Sequence, residues 1–407
     1  MKSFCNKKGS FSIFAIMLFL AMAFAIWIII KSAGNLAISS TVNSFGNLWG
    51  KSILGEYDII LRDRYGFLAF HGDKFQVEKK LQKYIDYSFK NKSYIIYEAP
   101  ECDMKEYSLV NCNALKEQVE MAVRTGTKPF VSEYEERNID TYKTINSEWI
   151  IKNLPSYNKT EDLYVLSLAN KVKEHGGLES LVENIAIDTY IFSFFKDYMK
   201  ERDLGKTYFN CEVEYIISGK LNEADIKKDV GDKIVILRNI LNLYYLYTCP
   251  EKRDSAMALA TAVTPGAMSF ITQGIILETW AYAEAKNDLK ILYDNKQVTL
   301  LKDDHNWALS LENVFKIGQE GELLQNEEVN YILPQNVEGI VYSDYLKLLL
   351  YGMPEETKLL RIMDLIQINL KYIYVDYFLV KDYYCGFSYN LKVNDVTYEF
   401  EEKYISK

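Results

Sequence analysis

The sequence predicts a helix-rich α+β fold: one N-terminal transmembrane helix continues into a stalk and then into a mixed extracytoplasmic domain that ends in a β-hairpin. Three observations carry that expectation. Twenty consecutive residues, Phe11 to Ile30, contain no charge. Apolar residues recur at three- and four-residue spacing through most later segments, the period of a helix face. Near the C-terminus, two alternating segments flank Asn394-Asp395, a dipeptide suited to a tight hairpin turn.

Residues 1–10 form a basic leader with Lys2, Lys7 and Lys8. As a helix, the apolar run over 11–30 is about 30 Å long at about 1.5 Å per residue, the thickness of a bilayer's hydrocarbon core. A cleavable signal has a shorter apolar region of about 7–15 residues. Length therefore favours a retained anchor, although Ser32-Ala33-Gly34 imitates a cleavage site. Gly9 offers a third reading, a prepilin-type leader. Ordinary pilins carry a glutamate at the fifth mature position, where this chain has Phe14, so the filament-packing carboxylate is missing. Only Lys31 follows the run before Lys51, and this cation asymmetry places the N-terminus in the cytoplasm and the remainder outside a cell membrane crossed once.

The 407-residue chain has a net charge of -9, and without the four lysines of residues 1–31 the remainder holds 43 basic against 56 acidic side chains, net -13. Such a surface argues against a nucleic-acid partner. A composition 49% hydrophobic and 25% charged is that of a globular chain. Six cysteines without a CxxC are too sparse for a disulfide framework. Cys102 and Cys112 could close a small loop outside the cell, but separate, partly buried thiols are the plainer reading.

Beyond the anchor, Ile38, Val42, Phe45, Trp49 and Ile53 share one helical face, extending the helix as a stalk over 31–65. Gly46, Gly50 and Gly55 weaken it and predict a bend before the domain of 66–407. Val77, Leu81, Tyr84 and Ile85 trace a further helix, and "KSYIIYEA" reads as a strand. The polar stretch over 132–160 reads as an exposed excursion or an internal boundary. Gly176-Gly177 opens a helical stripe from Leu178 to Met199. Phe209, Cys211, Val213, Tyr215 and Ile217 alternate as a strand would, and Asn222 then caps a helix that runs along Ile226, Val230, Ile234, Leu237, Leu241 and Tyr244 until Pro250. Ala256 to Leu277 is a second charge-free stretch. Pro265-Gly266 and its polar residues argue against a second membrane span and for two small-residue helices packed in a core. Ser343 caps "DYLKLLLY", Leu359, Ile362, Met363, Ile366 and Leu370 form another buried stripe, and "GFSYNLKV" with "VTYEFEEKY" completes the hairpin.

The search for chemistry yields no catalytic, cofactor-binding or metal-ligating residue. His71, His175 and His305 each stand alone in sequence, without a metal-ligand spacing. "LGKTY" lacks the first glycine of a phosphate loop, since Lys200 stands in its place. Glu212 and Glu214 share a face of their expected strand. Paired carboxylates can divide acid and base roles in a glycosidase, but the alternation makes that face the wet one. The 32 tyrosines fall mostly on apolar stripes and read as core.

Taken together, "KGSFSIFAIMLFL", "YDIILRDRYGFLAF", "EVEYIISGK", "LRNILNLYYLYTCPEKRDSAMALATAVT", "ILETWAYAEA", "YSDYLKLLLY" and "LLRIMDLIQINL" resemble a Gram-positive bacterial family of unassigned function. Its members are single-pass, N-terminally anchored proteins that resemble tight-adherence (Flp-type) pilus accessory components. The resemblance runs from Lys8 to about Val393 and is weakest over Glu101 to Tyr164. It implies an anchored extracytoplasmic partner of a pilus or type II-like secretion machine, similar in layout to minor pilin-like proteins. The implied partners are the lipid bilayer and other membrane proteins of that machine, and no catalytic residue or cofactor comes with the resemblance. Two other classes stay open: an anchored cell-envelope hydrolase using Glu212 and Glu214, and a surface receptor or sensor.

Overall fold

The computed structural model describes residues 7–130, 151–157, 164–175, 185–199, 206–314, 331–374 and 378–404. Most of the expected excursion over 132–160, and Gly176-Gly177 with Leu178, lie outside these described residues. In chain order the helices are α1 (Lys7–Leu54), α2 (Ile59–Tyr65), α3 (Lys74–Phe89), α4 (Cys112–Arg124), α5 (Val165–His175) and α6 (Ile185–Phe194). They continue with α7 (Glu212–Ser218), α8 (Glu223–Thr248), α9 (Pro250–Val263), α10 (Ser269–Tyr293), α11 (Tyr342–Gly352) and α12 (Glu355–Asn369). The strands are β1 (Phe70–His71), β2 (Glu101–Asp103), β3 (Tyr383–Tyr384), β4 (Gly386–Val393) and β5 (Val396–Lys403). The fold is α+β, rich in helix, with one long apolar N-terminal helix and a C-terminal hairpin.

The chain divides into two compact units, the first made of Met1–Asp58, Ala69–Ser108 and Asp382–Lys407. Its sheet has the order β2-β4-β5, antiparallel throughout, with Cys102 opposite Tyr389 and Tyr389 opposite Phe400. Asn394 and Asp395 both adopt positive φ, at 47° and 66°, which is the backbone of a two-residue hairpin turn with the native twist. The "KSYIIYEA" segment contributes only a bridge from Tyr97 to Val393, and the paired strand lies just beyond it at Glu101–Asp103.

α1 supplies one wall of this unit's core. Val42, Trp49 and Ile53 are buried with Val77, Leu81, Ile85 and Phe89 of α3 and with Phe387, Tyr389, Leu391 and Phe400 of the hairpin. Ile38 and Phe45 pack against the same cluster, so the stripe read from the sequence is the buried face. α1 runs unbroken through Gly46 and Gly50 and ends at Leu54, so of the three glycines only Gly55 stands where the helix stops. Gly46 and Gly50 serve another purpose: a Cβ at Gly46 would sit 2.2 Å from the Phe400 ring, and one at Gly50 would sit 2.4 Å from the Glu402 side chain. They let strand β5 lie directly on the helix, where the Tyr389 hydroxyl donates to the Gly46 carbonyl at 2.8 Å. The other end of α1 has no such cover. It is long and apolar enough to cross a membrane, and none of its apolar window is buried.

The second unit comprises Ile59–Leu68 and Leu109–Lys381. Asn222 caps α8, its side chain accepting from the amides of Ala224 at 2.9 Å and Asp225 at 3.3 Å. Ile226, Val230, Ile234, Leu237 and Leu241 form its buried face, while Tyr244 at its end is exposed. α12 is enclosed on every side, with Thr357 to Asn369 all buried. Its polar residues therefore needed partners, and they have them. Lys358 pairs with Asp188 at 2.7 Å, Arg361 donates to the carbonyls of Ile216 and Ile217 at 2.8 Å, and Asp364 accepts from the Ser156 amide and the Tyr215 hydroxyl.

Two expectations fail in this unit. The alternating residues 209–217 build no strand; Glu212–Ser218 is helix α7, and all seven of its residues are buried. Gly219, in the left-handed region at φ 72°, closes α7 by donating to the Tyr215 carbonyl at 2.6 Å. The charge-free stretch from Ala256 to Leu277 does form two helices broken at Pro265-Gly266, but their meeting end is not a core. Val263, Met268, Phe270, Ile271 and Ile275 are all exposed.

Candidate functional site

The described residues of the second unit contain a small cleft lined by Arg64, Tyr65, Pro129, Phe130, Phe194, Thr207 and Glu212. α2 brings Arg64 and Tyr65 to it, α7 brings Glu212, and the end of α6 supplies Phe194. Two sets of hydrogen bonds fasten its polar side. Arg64 donates to the Tyr374 hydroxyl and, at 3.0 Å, to the Lys206 carbonyl. Tyr374 ends a π-helical turn, Leu370–Tyr374, that continues α12. Asn369 links the two sides, its amide donating to the Tyr65 hydroxyl at 3.0 Å and to Glu212 Oε1 at 2.6 Å. Glu212 Oε2 accepts from the Lys196 amide at 3.0 Å.

Glu212 and Glu214 are both buried, contrary to the solvated edge that the sequence suggested. The reason is tertiary: in a helix enclosed on all faces, two residues apart means nearly opposite sides, and both sides are dry. Glu214 Oε1 accepts from the Tyr198 amide at 3.0 Å. Its Oε2 and the neighbouring Tyr342 hydroxyl make no hydrogen bond of standard geometry. Burial pushes both carboxyls up to about 7, against the pull of the Lys196 amide and Asn369 on Glu212 and of the Tyr198 amide on Glu214. The two carboxylates thus share a short helix but not a set of partners. A retaining or inverting glycosidase needs both facing one bond, and Glu214 is not among the residues lining the cleft.

A second buried polar cluster lies between α8, α10 and the segment after α10. Arg238 binds Asp288 at 2.9 Å and Asn242 at 2.8 Å, and also donates to the carbonyls of Thr299 and Leu300 at 2.9 and 2.6 Å. Lys302 pairs with Asp288 at 2.7 Å and with Glu284, whose other contacts are the amides of Ala308 and Leu309 at 2.9 and 2.8 Å. Burial raises Asp288, but Lys302 and Arg238 outweigh it and hold the carboxyl below its ordinary range; burial prevails at Glu284, which is raised. Two cations and two anions in mutual contact make a balanced structural joint.

The histidines stay apart. His71 sits in β1 against the Tyr383 ring at 5.2 Å, His175 ends α5, and His305 lies in the segment after α10, where its amide donates to Asp303 at 2.8 Å. Among the described residues no group of three His, Cys, Asp or Glu side chains is placed to hold a metal ion. Cys102, Cys112, Cys211, Cys249 and Cys385 are free thiols.

Arg64, Asn369 and Tyr374 escaped sequence reading. None carries a motif or a spacing that singles it out, and only the tertiary fold brings α2, α7 and the end of α12 together. No curated protein and no solved structure matches the chain. A family model does match, over residues 130–395, a range that leaves out α1 and covers most of the second unit; the chain belongs to DUF5702, a family of unknown function.

Proposed function

We propose that the chain is a membrane-anchored, non-enzymatic accessory protein of a tight-adherence pilus or type II-like secretion system, minor pilin-like in layout, with its folded mass outside the cytoplasm. The observation that carries this reading is the double use of α1. One unbroken helix is bare and apolar from Ile13 to Ile30, yet supplies Val42, Trp49 and Ile53 to the core of the first unit and lies against strand β5. An anchor built this way transmits position and force from a bilayer into a folded domain without a flexible joint, which suits assembly more than diffusion-limited catalysis. The cation excess before Phe11 supports an N-terminus in the cytoplasm. Phe14 in place of the pilin glutamate supports a role beside the filament rather than within it.

Deletion of the gene tests the reading. Surface pili and adherence should fall, and reintroducing the full chain should restore both; unchanged pilus number and adherence would overturn it. Retention of the anchor is read separately from the mature N-terminus. A start near Asn35 would show that α1 is cut, and would remove the observation on which the proposal rests.

A further inference from the structure

The hairpin made by α9 and α10 ends in an apolar tip that nothing in the described structure covers. Val263, Pro265, Met268, Phe270, Ile271 and Ile275 are exposed there, within 22 residues, Ala256 to Leu277, that carry no charge. We propose that this tip inserts into one leaflet of a lipid bilayer as a re-entrant hairpin, a second and separate membrane contact besides α1.

Four observations commit the surface to lipid rather than to a protein partner. The first is depth: the uncharged part of each helix, Ala256 to Val263 and Ser269 to Leu277, rises about 12–14 Å at about 1.5 Å per residue, which fits within one leaflet of a core about 30 Å thick. The second is how the polar groups at the tip are satisfied. Thr261 donates to the Met257 carbonyl at 2.9 Å, Ser269 to Gly266 at 2.8 Å, Thr272 to Met268 at 3.3 Å and Gln273 to Arg253 at 2.8 Å. The turn backbone closes on itself too, Thr264 to Ala260 at 2.8 Å and Ser269 to Gly266 at 3.1 Å. Pairing these groups within the hairpin lowers the cost of placing them in hydrocarbon.

The third is the fringe. Tyr244, Tyr247 and Tyr282 are exposed farther from the tip, with charged Arg253, Asp254 and Glu278 beyond the uncharged stretch. Tyrosines and charges interleaved at the headgroup level are usual chemistry at a membrane surface. The fourth is supply: a chain whose α1 is long and apolar enough to span a bilayer is held close to lipid, so a modest apolar area gains a high effective concentration. Pro265-Gly266 suits the turn, since Gly266 adopts φ 91° and neither residue brings a charge.

The full chain, with Cys5, Cys112 and Cys249 replaced by serine and an environment-sensitive dye on Phe270→Cys or, separately, Ile275→Cys, is placed in phosphatidylcholine–phosphatidylglycerol nanodiscs. Quenching by doxyl-labelled lipid is compared with quenching by aqueous iodide, and Tyr87→Cys, 85% exposed on α3, serves as the water-facing control. Both tip labels should be quenched by the lipid probe and shielded from iodide, the control should show the reverse, and adding Ile271→Asp should abolish the lipid quenching. Iodide access equal to the control's would overturn the proposal, and so would shielding from both quenchers, which would mean a protein cover such as a second copy. Absence of the chain from the discs would instead count against α1 as an anchor, so the two readings fail in distinguishable ways.

Discussion

Glu214 shows how one side chain can hold a fold in tension with pH. Its carboxyl is buried, accepts from the Tyr198 amide and leaves Oε2 without a hydrogen bond of standard geometry. Burial raises it to about 7, above the value of about 4.3 in an unfolded chain. A carboxyl raised on folding favours the protonated folded state, so its contribution is fully present below the unfolded value and is lost as pH climbs towards 7. The same sign holds for Glu212. Glu214→Gln, neutral at all pH and able to donate towards Tyr342, should therefore raise stability at pH 8 by about 1–3 kcal/mol and change it little at pH 4.5. Thermal melting of the full chain at the two pH values checks this; a loss at pH 8 would mean that the ionised carboxylate is stabilising. Lys302 offers the complementary case. Lys302→Met would strand Glu284 beside Asp288 and should cost about 3–5 kcal/mol. Lys80→Met breaks the half-exposed pair with Glu56 and should cost no more than about 1 kcal/mol.

At the scale of an element, α1 sets helix propensity against close packing. Gly46 and Gly34 both lie inside the helix, where Gly→Ala gains about 1 kcal/mol of propensity. A Cβ at Gly34 meets nothing within 4 Å, but one at Gly46 would strike the Phe400 ring. Overpacking of that kind costs about 1–3 kcal/mol. Gly46→Ala should therefore lower the melting temperature of the first unit, and Gly34→Ala should not lower it. Equal melting of the two variants would mean that β5 does not rest on the helix. Pairing Gly46→Ala with Phe400→Leu, which frees ring volume, should recover part of the loss.

At the scale of the whole molecule, topology is tested by labelling. On the proposed single span at residues 11–30, both ends of the hairpin α9–α10 lie on the same side, and the proposed re-entrant tip dips and returns. A cysteine at Tyr87 should then react with an impermeant thiol reagent on intact protoplasts, in the Cys5, Cys112 and Cys249 serine background. Labelling only after lysis would place the first unit in the cytoplasm, and with it would go the extracytoplasmic accessory role.

Much of the architecture was legible because its signals are local. A charge-free run, a heptad-like stripe from Ile38 to Ile53, the Asn222 cap and the Asn394-Asp395 turn each depend on residues close in sequence, and each stands in the structure where it was read. What failed depended on neighbours from afar. The period-two pattern over 209–217 loses its meaning when α7 is buried on every face, and Gly46 marks a packing contact only because Phe400, more than 300 residues later, returns to it. Arg64, Glu212, Asn369 and Tyr374 are ordinary letters until the second unit folds around α12. The charge-free stretch from Ala256 to Leu277 falls between the two. Its composition set out the hairpin and its break, and only the tertiary structure decided that the apolar tip would be left outside the core, because the fold closes over α8, α10 and α12 without reaching it.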